Sequence, residues 1–510
     1  MKKRQIVNII NFIRGVEPRC DVDLVKPVRE QIGLMRELNL RGTFLIQYDA
    51  LIMPEFSDLL KSLDPRQFEI GVWFEIVQPQ VEAAGIKWRG RFPWDWHVHC
   101  GFAPGYTQNE REKCADVLYE KFREIFGYYP RVFGSWLFDT YTVNYISDKY
   151  GMDALCNCKE QYGTDGYTLW GGYYGQGYYP SRTNVFMPAV NEQNQLRVPL
   201  FRMLGSDPVY QYDFGMDPES GAQRFQGVIT LEPVYKGGGG GVPRWVDWYL
   251  RENYNGECLS FGYAQAGQEN SFGWDDMKYG LTYQFRTFAK LRDEGKLEIE
   301  PLGETGRWFK DTYKSTPPSV ISAHTAYDDP SKGSLWYSSA FYRTNLFRRG
   351  NTVYIRDLHI FSENMADPYY DTVCTKNEAA YETLPVIDGN RHSGSGIAAG
   401  AYISFDDGSL PVCEDMRFSE NDDGSASVDC CDIRILLHDK GIRITADKEF
   451  CIRFKRGNTR DHFPVTESIS RDSLTLRYAD TVYGIRLLCG SFASDTEIVS
   501  DGCCTELFFN

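Results

Sequence analysis

Three carboxylates, Glu75, Asp139 and Glu269, stand at the ends of apolar runs that read FEIGVWFEI, GSWLFD and GYAQAGQENSFGW. Carboxylates in such places suit glycoside hydrolysis. One protonates the leaving oxygen while another attacks the anomeric carbon or activates water, because an oxocarbenium-like transition state needs both a proton donor and negative charge. Glu75 and Glu269 are embedded among aromatic residues, where a carboxylate is costly unless it has a task. Asp139 directly precedes a helical stretch and is also a natural N-cap. The helix N-terminus favours its ionised form, so Asp139 reads as nucleophile or base, with Glu269 or Glu75 as the acid.

WDWHVHC, residues 94–100, is the second concentration of chemistry. On an extended segment Asp95, His97 and His99 face one side, a set that suits a divalent ion. In an aromatic loop two histidines more often hydrogen-bond a substrate hydroxyl or a neighbouring backbone group than hold a metal. The aromatic content of 15% adds flat faces for sugar rings. The substrate-binding set is accordingly Trp73, His97, His99, Trp136, Trp170, Gln268 and Trp274. Glu304 follows the last barrel strand and reads as a helix-dipole partner. No metal or cofactor is expected. The fourteen cysteines lack zinc-knuckle spacing, no Gly-x-Ser-x-Gly elbow occurs, and no dinucleotide or phosphate-loop glycine pattern occurs.

These residues need a scaffold that gathers strand ends. From residue 6 to about 312, strand-like runs (IVNIINFI, GTFLIQ, FEIGVWFEI, RVFGSWLF, DALCNC, LRVPLFRML, ECLSFGYAQ, LEIEPL) alternate with helix-period segments. Repeated β-then-α units specify a parallel sheet, and their number favours closure. The fold class is α/β, a (β/α)7–8-like barrel, in which strand C-termini converge on one face. Beyond about residue 318, short strands between Gly, Asp and Asn turns predict a C-terminal antiparallel β-sandwich. The expected domains are 1–313 and 318–510, joined across KSTPPS, whose paired prolines cannot continue the preceding helix. Residues 161–195 and 235–245, rich in Gly, Tyr and Trp, interrupt the pattern and are expected as rim loops, the five consecutive glycines giving a flexible one.

The order of NIINFI, GTFLI, FEIGVWFE and RVFGSWLFDTYTVNYISDKYGMDAL, followed by a β-rich tail, resembles the glycoside hydrolase/deacetylase superfamily and, within it, the putative glycoside hydrolases of gut bacteria. The resemblance covers roughly residues 5 to 310 and implies a (β/α)7-like barrel acting on carbohydrate. Deacetylases of that superfamily carry paired aspartates after the first strand and a His-x-x-x-His zinc motif after the third. Here Ile13 and Arg14 stand near the former and Trp73 and Val77 near the latter, so zinc-dependent deacetylation is not expected.

The net charge of -15 opposes a nucleic-acid surface, which needs clustered cations. No apolar run is long enough to span a bilayer, and unpaired thiols suit a reducing compartment, so the cytoplasm is expected. The expected partner is a carbohydrate substrate, and self-association into a homo-oligomer stays open. A glycosidase is the leading reading. The alternatives are a metal-dependent deacetylase on Asp95, His97 and His99, a non-catalytic carbohydrate-binding protein, and a sugar isomerase or lyase.

Overall fold

The computed structural model describes residues 3–217, 220, 225–254, 257–457 and 462–509. Its centre is β1 (Gln5–Ile13), nine consecutive buried residues. A strand without polar–apolar alternation is one covered on both faces, as parallel strands are. β1 pairs in parallel with β2 (Gly42–Ile46) through its second half and with Gly262–Ala266 through its first. From β2 the sheet continues through β3 (Phe68–Trp73), β4 (Val132–Ser135), β5 (Ala154–Cys158) and Leu200–Met203. Glu298–Ile299 also pairs with β1. The Gly205 amide donates to Gln265 O at 3.2 Å, so the last strand of the path reaches back to the first. The result is a nearly closed barrel of eight mixed strands, among which Gly177–Tyr178 runs antiparallel.

Helices cover the barrel for reasons visible in the chain. In Trp274–Asp293, Met277, Leu281, Phe285 and Phe288 are buried, three to four residues apart, which makes one apolar stripe. Each such side chain contributes about 1.5–3 kcal/mol on burial. Gly295, with φ +68°, follows the helix end in the left-handed conformation that favours glycine. The longest helix between β3 and β4, Gln108–Phe126, carries a full capping box, Thr107 with Glu110, and ends at Gly127 with φ +83°. It was absent from the strand–helix alternation read above, although its Thr-x-x-Glu start is a recognisable signal.

Strands from Ser319 onward form two antiparallel sheets whose facing side chains, among them Leu346, Ile355, Ile435, Ile444, Leu476 and Ile485, share one core. This is the expected β-sandwich. The insertion after β5 departs from expectation. Its hairpin, Gln161–Thr164 and Tyr167–Trp170, pairs in parallel with Ala379–Glu382, so the segment is stitched to the later part of the chain. Beneath it lies a buried ionic network. Arg343 donates to both oxygens of Asp357 at 2.9 Å and pairs with Glu160. Tyr212 donates to Asp357 and Asp388, and His359 contacts Asp388 at 3.2 Å. No helix among the described residues is long and apolar enough to cross a membrane.

Candidate functional site

Glu269 stands three residues past the Gly262–Ala266 strand. The step between them depends on Gly267, whose φ is +111° and whose added Cβ would lie 2.0 Å from Ile10 O. Only glycine turns the chain there. Gln268 Oε1 then accepts from the Glu269 amide at 2.8 Å, and Ser271 Oγ donates to Glu269 Oε1 at 2.5 Å. The backbone of Glu269 is thereby held by Gln268 and one carboxylate oxygen by Ser271.

Arg14, at the end of β1, joins Glu269 to Glu75. Its Nη2 is 3.3 Å from an oxygen of each, so those two oxygens are at most twice that distance apart, an upper limit that takes in the ~5–5.5 Å of a retaining glycosidase pair. The guanidinium stacks on Trp94 at 4.0 Å, and the Trp94 indole donates to Glu75 at 2.9 Å. Glu75 is fully buried. Burial pushes its carboxyl up to about 7; the Arg14 charge opposes the shift and the Glu269 charge adds to it.

A cavity of about 270 Å³ opens at this rim, lined by Arg14, Arg19, Lys159, Glu232, Tyr235 and Glu269 among others. Glu75 is not among its walls. Glu232, which no strand pattern announces, is held by its neighbours. The Gly240 amide donates to Thr230 O at 2.6 Å, and Gln284 Nε2 donates to Leu231 O and Gly240 O at 2.8 and 2.9 Å. An added Cβ at Gly240 would meet Leu231 O at 2.3 Å. The five-glycine run therefore packs against the Glu232 segment rather than lying free at the rim. Burial raises the Glu232 carboxyl; the Lys159 charge opposes this and the Glu269 charge adds to it. A larger cavity, about 960 Å³, lies at the opposite end of the barrel beside Gln5 and Leu297. It is remote from the strand C-termini, where the smaller cavity opens.

The other expected site residues divide. Gln268 positions Glu269, and Trp136 lines the cavity. Trp73 is fully buried against Phe12 and Trp136. Trp170 is core: its indole donates to Asp388 at 2.6 Å and its ring stacks on Tyr212. Trp274 opens the Trp274–Asp293 helix and packs, half-buried, on the main core. Asp95 is committed to Arg91, which donates to its two oxygens at 2.8 and 2.7 Å and keeps its carboxyl near 2 against the opposing effect of burial. His97 and His99 lie with ring centres 5.8 Å apart and are not among the cavity walls. Glu304 pairs with Arg41 at 2.5 Å. Among the described residues, Asp357, His359 and Asp388 are grouped closely enough to hold an ion, but their oxygens already accept from Arg343, Tyr212 and Trp170.

Asp139 is not brought to the cavity. It caps the Thr140–Tyr150 helix through the Thr142 amide and accepts from the buried Arg111 at 2.9 Å. Its charge adds to the burial that pushes Asp367 up to about 6. These partners engage it structurally, and it is not among the cavity walls that the nucleophile role expected of it would require. Asp139→Asn is expected to lower stability by about 3 kcal/mol, because it strands a buried arginine, while turnover per folded molecule changes little. Thermal melts beside active-site-normalised rates check this.

Arg14, Glu232 and Lys159 are the cavity residues whose part the sequence reading did not assign. Lys159 directly follows β5 and Arg14 ends β1, so the strand-end rule was a usable signal for both. Glu232 had none, since its segment is irregular.

No family model matches the chain, and no curated protein matches it. Among solved structures, one described as a "putative glycoside hydrolase/deacetylase" from Parabacteroides distasonis superposes with TM-score 0.56 at 15% identity, covering 75% of this chain and 91% of that one. A "putative polysaccharide deacetylase" from Mycobacterium smegmatis shares 12% identity at TM-score 0.37, over 61% of this chain and 92% of its own. The first likeness is one of fold, and the second is too distant to add to it.

Proposed function

We propose that this chain, which has the fold of the glycoside hydrolase/deacetylase superfamily, is a glycoside hydrolase acting on an oligosaccharide, polysaccharide or glycoconjugate. The observation that carries the reading is one cavity lined by four carboxyl side chains, of which Glu17 and Asp165 pair with Arg19 while Glu269 and Glu232 stand in different electrostatic settings. Glu269 lies against the Arg14 guanidinium, 3.3 Å away, whereas burial raises Glu232. A carboxyl group raised by burial and a second one beside a guanidinium suit the roles of acid and base. Glu232 gives its proton to the glycosidic oxygen as the C1–O bond breaks, and the sugar leaves as its alcohol. Glu269 attacks C1 or takes a proton from the attacking water. Arg14 holds Glu269 in register and the buried Glu75 holds Arg14, a supporting role for Glu75 in place of the acid role expected of Glu269 or Glu75, while Glu269 takes the part expected of Asp139.

The cavity is at the low end of ligand pockets, ~300–1,000 Å³, and so takes a ring rather than a chain at the reacting point. Incubation with a panel of glycosides and acetylated glycans, with sugar and acetate release measured separately, tests the reading. New reducing ends without acetate are expected, with rates unchanged by chelation. Acetate release without chain cleavage would replace the glycosidase by the deacetylase alternative.

A further inference from the structure

The cavity holds one cation that has no ion-pair partner among the described residues. Lys159 is 5% exposed and lines the cavity wall, and among the described residues its ammonium makes no hydrogen bond or ion pair. The other charges around it are matched. Arg19 pairs with Glu17 at 2.8 Å and Asp165 at 3.4 Å, and Arg14 pairs with Glu269 and Glu75. Glu232 is the carboxylate that remains, and it feels Lys159 from beyond the 4.0 Å of an ion pair. An ammonium at a cavity wall with no partner within ion-pair distance is free to meet a charge on a ligand.

We propose that Lys159 selects substrates whose reacting sugar ring carries an anionic group, a carboxylate or a sulfate. The inference rests on the glycosidase reading at one point. When Glu232 carries the proton that it donates, it is neutral, and the Lys159 charge is then left to the ligand. A ring hydroxyl accepts one hydrogen bond from an ammonium but does not cancel its charge. A carboxylate or sulfate does both, through a charge-assisted contact.

Equilibrium binding of glucuronate, galacturonate and galactose 6-sulfate, each against its neutral parent sugar, tests the proposal on the full chain. At least one anionic sugar should bind about tenfold or more tightly than its parent, and the carboxylate and sulfate arms tell which group is read. Lys159→Met should abolish the preference, so that anionic and neutral sugars bind alike, and Lys159→Arg should keep it. Equal binding of anionic and neutral sugars by the unmodified protein overturns the proposal without any variant having to fold, as does a preference that survives in Lys159→Met. Hydrolysis is scored independently. Turnover of neutral glycosides through Glu269 with no anionic preference leaves the glycosidase standing and removes this inference. A Lys159-dependent preference without turnover of any glycoside does the reverse.

Discussion

Glu269→Gln should lower kcat on a cleaved glycoside by about three to four orders of magnitude while changing sugar affinity little. The substitution is close to isosteric, so Ser271 Oγ, which donates to Oε1 at 2.5 Å, keeps an acceptor. What is lost is the negative charge that the transition state needs. Glu232→Gln should behave differently. Loss of the proton donor slows substrates with poor leaving groups most, so a series of aryl glycosides of rising leaving-group acidity should recover toward the unmodified rate. The two variants together separate the base from the acid. Near-normal kcat in Glu269→Gln on a confirmed substrate would sink the mechanism at this site.

Arg14→Met is expected to be the most destabilising single change around the cavity, by about 3–5 kcal/mol, because it leaves buried carboxylates without their counter-charge. Arg14 is 2% exposed and lies 3.3 Å from oxygens of both Glu75 and Glu269, with Glu17 at 3.6 Å. The loss depends on protonation, and its sign follows from Glu75. That carboxyl is at about 7 in the folded chain against 4.5 as its ordinary value, so between these pH values the folded state binds more protons than the unfolded one. Stability from this group therefore falls as pH rises from about 4.5 to about 7 and levels off above. Removing Arg14 takes away the charge that opposes the shift, so the variant should be most impaired above neutrality and partly recovered near pH 5. Glu75→Gln added to Arg14→Met should restore stability, since it removes one of the stranded charges; denaturant melts at pH 5 and pH 8 give all four values. A double variant no more stable than Arg14→Met would show that the pair is not coupled.

The arrangement of elements was written in the chain. Seven of the eight barrel strands lie in runs recognisable by apolar content, because a strand buried on both faces must be apolar throughout, whereas the antiparallel Gly177–Tyr178 lies in the stretch read as a rim loop. Six of the sandwich strands, from Thr352–Ile360 to Thr481–Cys489, lie in short apolar runs between turn residues, whereas others between them, such as Leu384–Asp388 and Gly400–Phe405, were not read from the sequence. Glu269 and Trp136 were legible for the same reason: a parallel barrel puts every strand C-terminus on one rim, so position relative to a strand end predicts position in space.

What the sequence did not decide was partnership. Asp139 and Glu269 look alike as carboxylates after strands, yet Arg111, 28 residues upstream, claims one, and Arg14, from the far end of the chain, holds the other beside the cavity. Trp170 reads as a rim aromatic until Ala379–Glu382, more than 200 residues later, pairs with its strand and closes it into the core. Glu232 carries no local signal. It is set in place by a glycine run and by Gln284 of a helix that follows. Local pattern fixes where strands and helices form, since periodicity and capping act within a few residues. Which charge faces water, a ligand or another side chain depends on contacts between segments far apart in the chain, and only the folded barrel makes those.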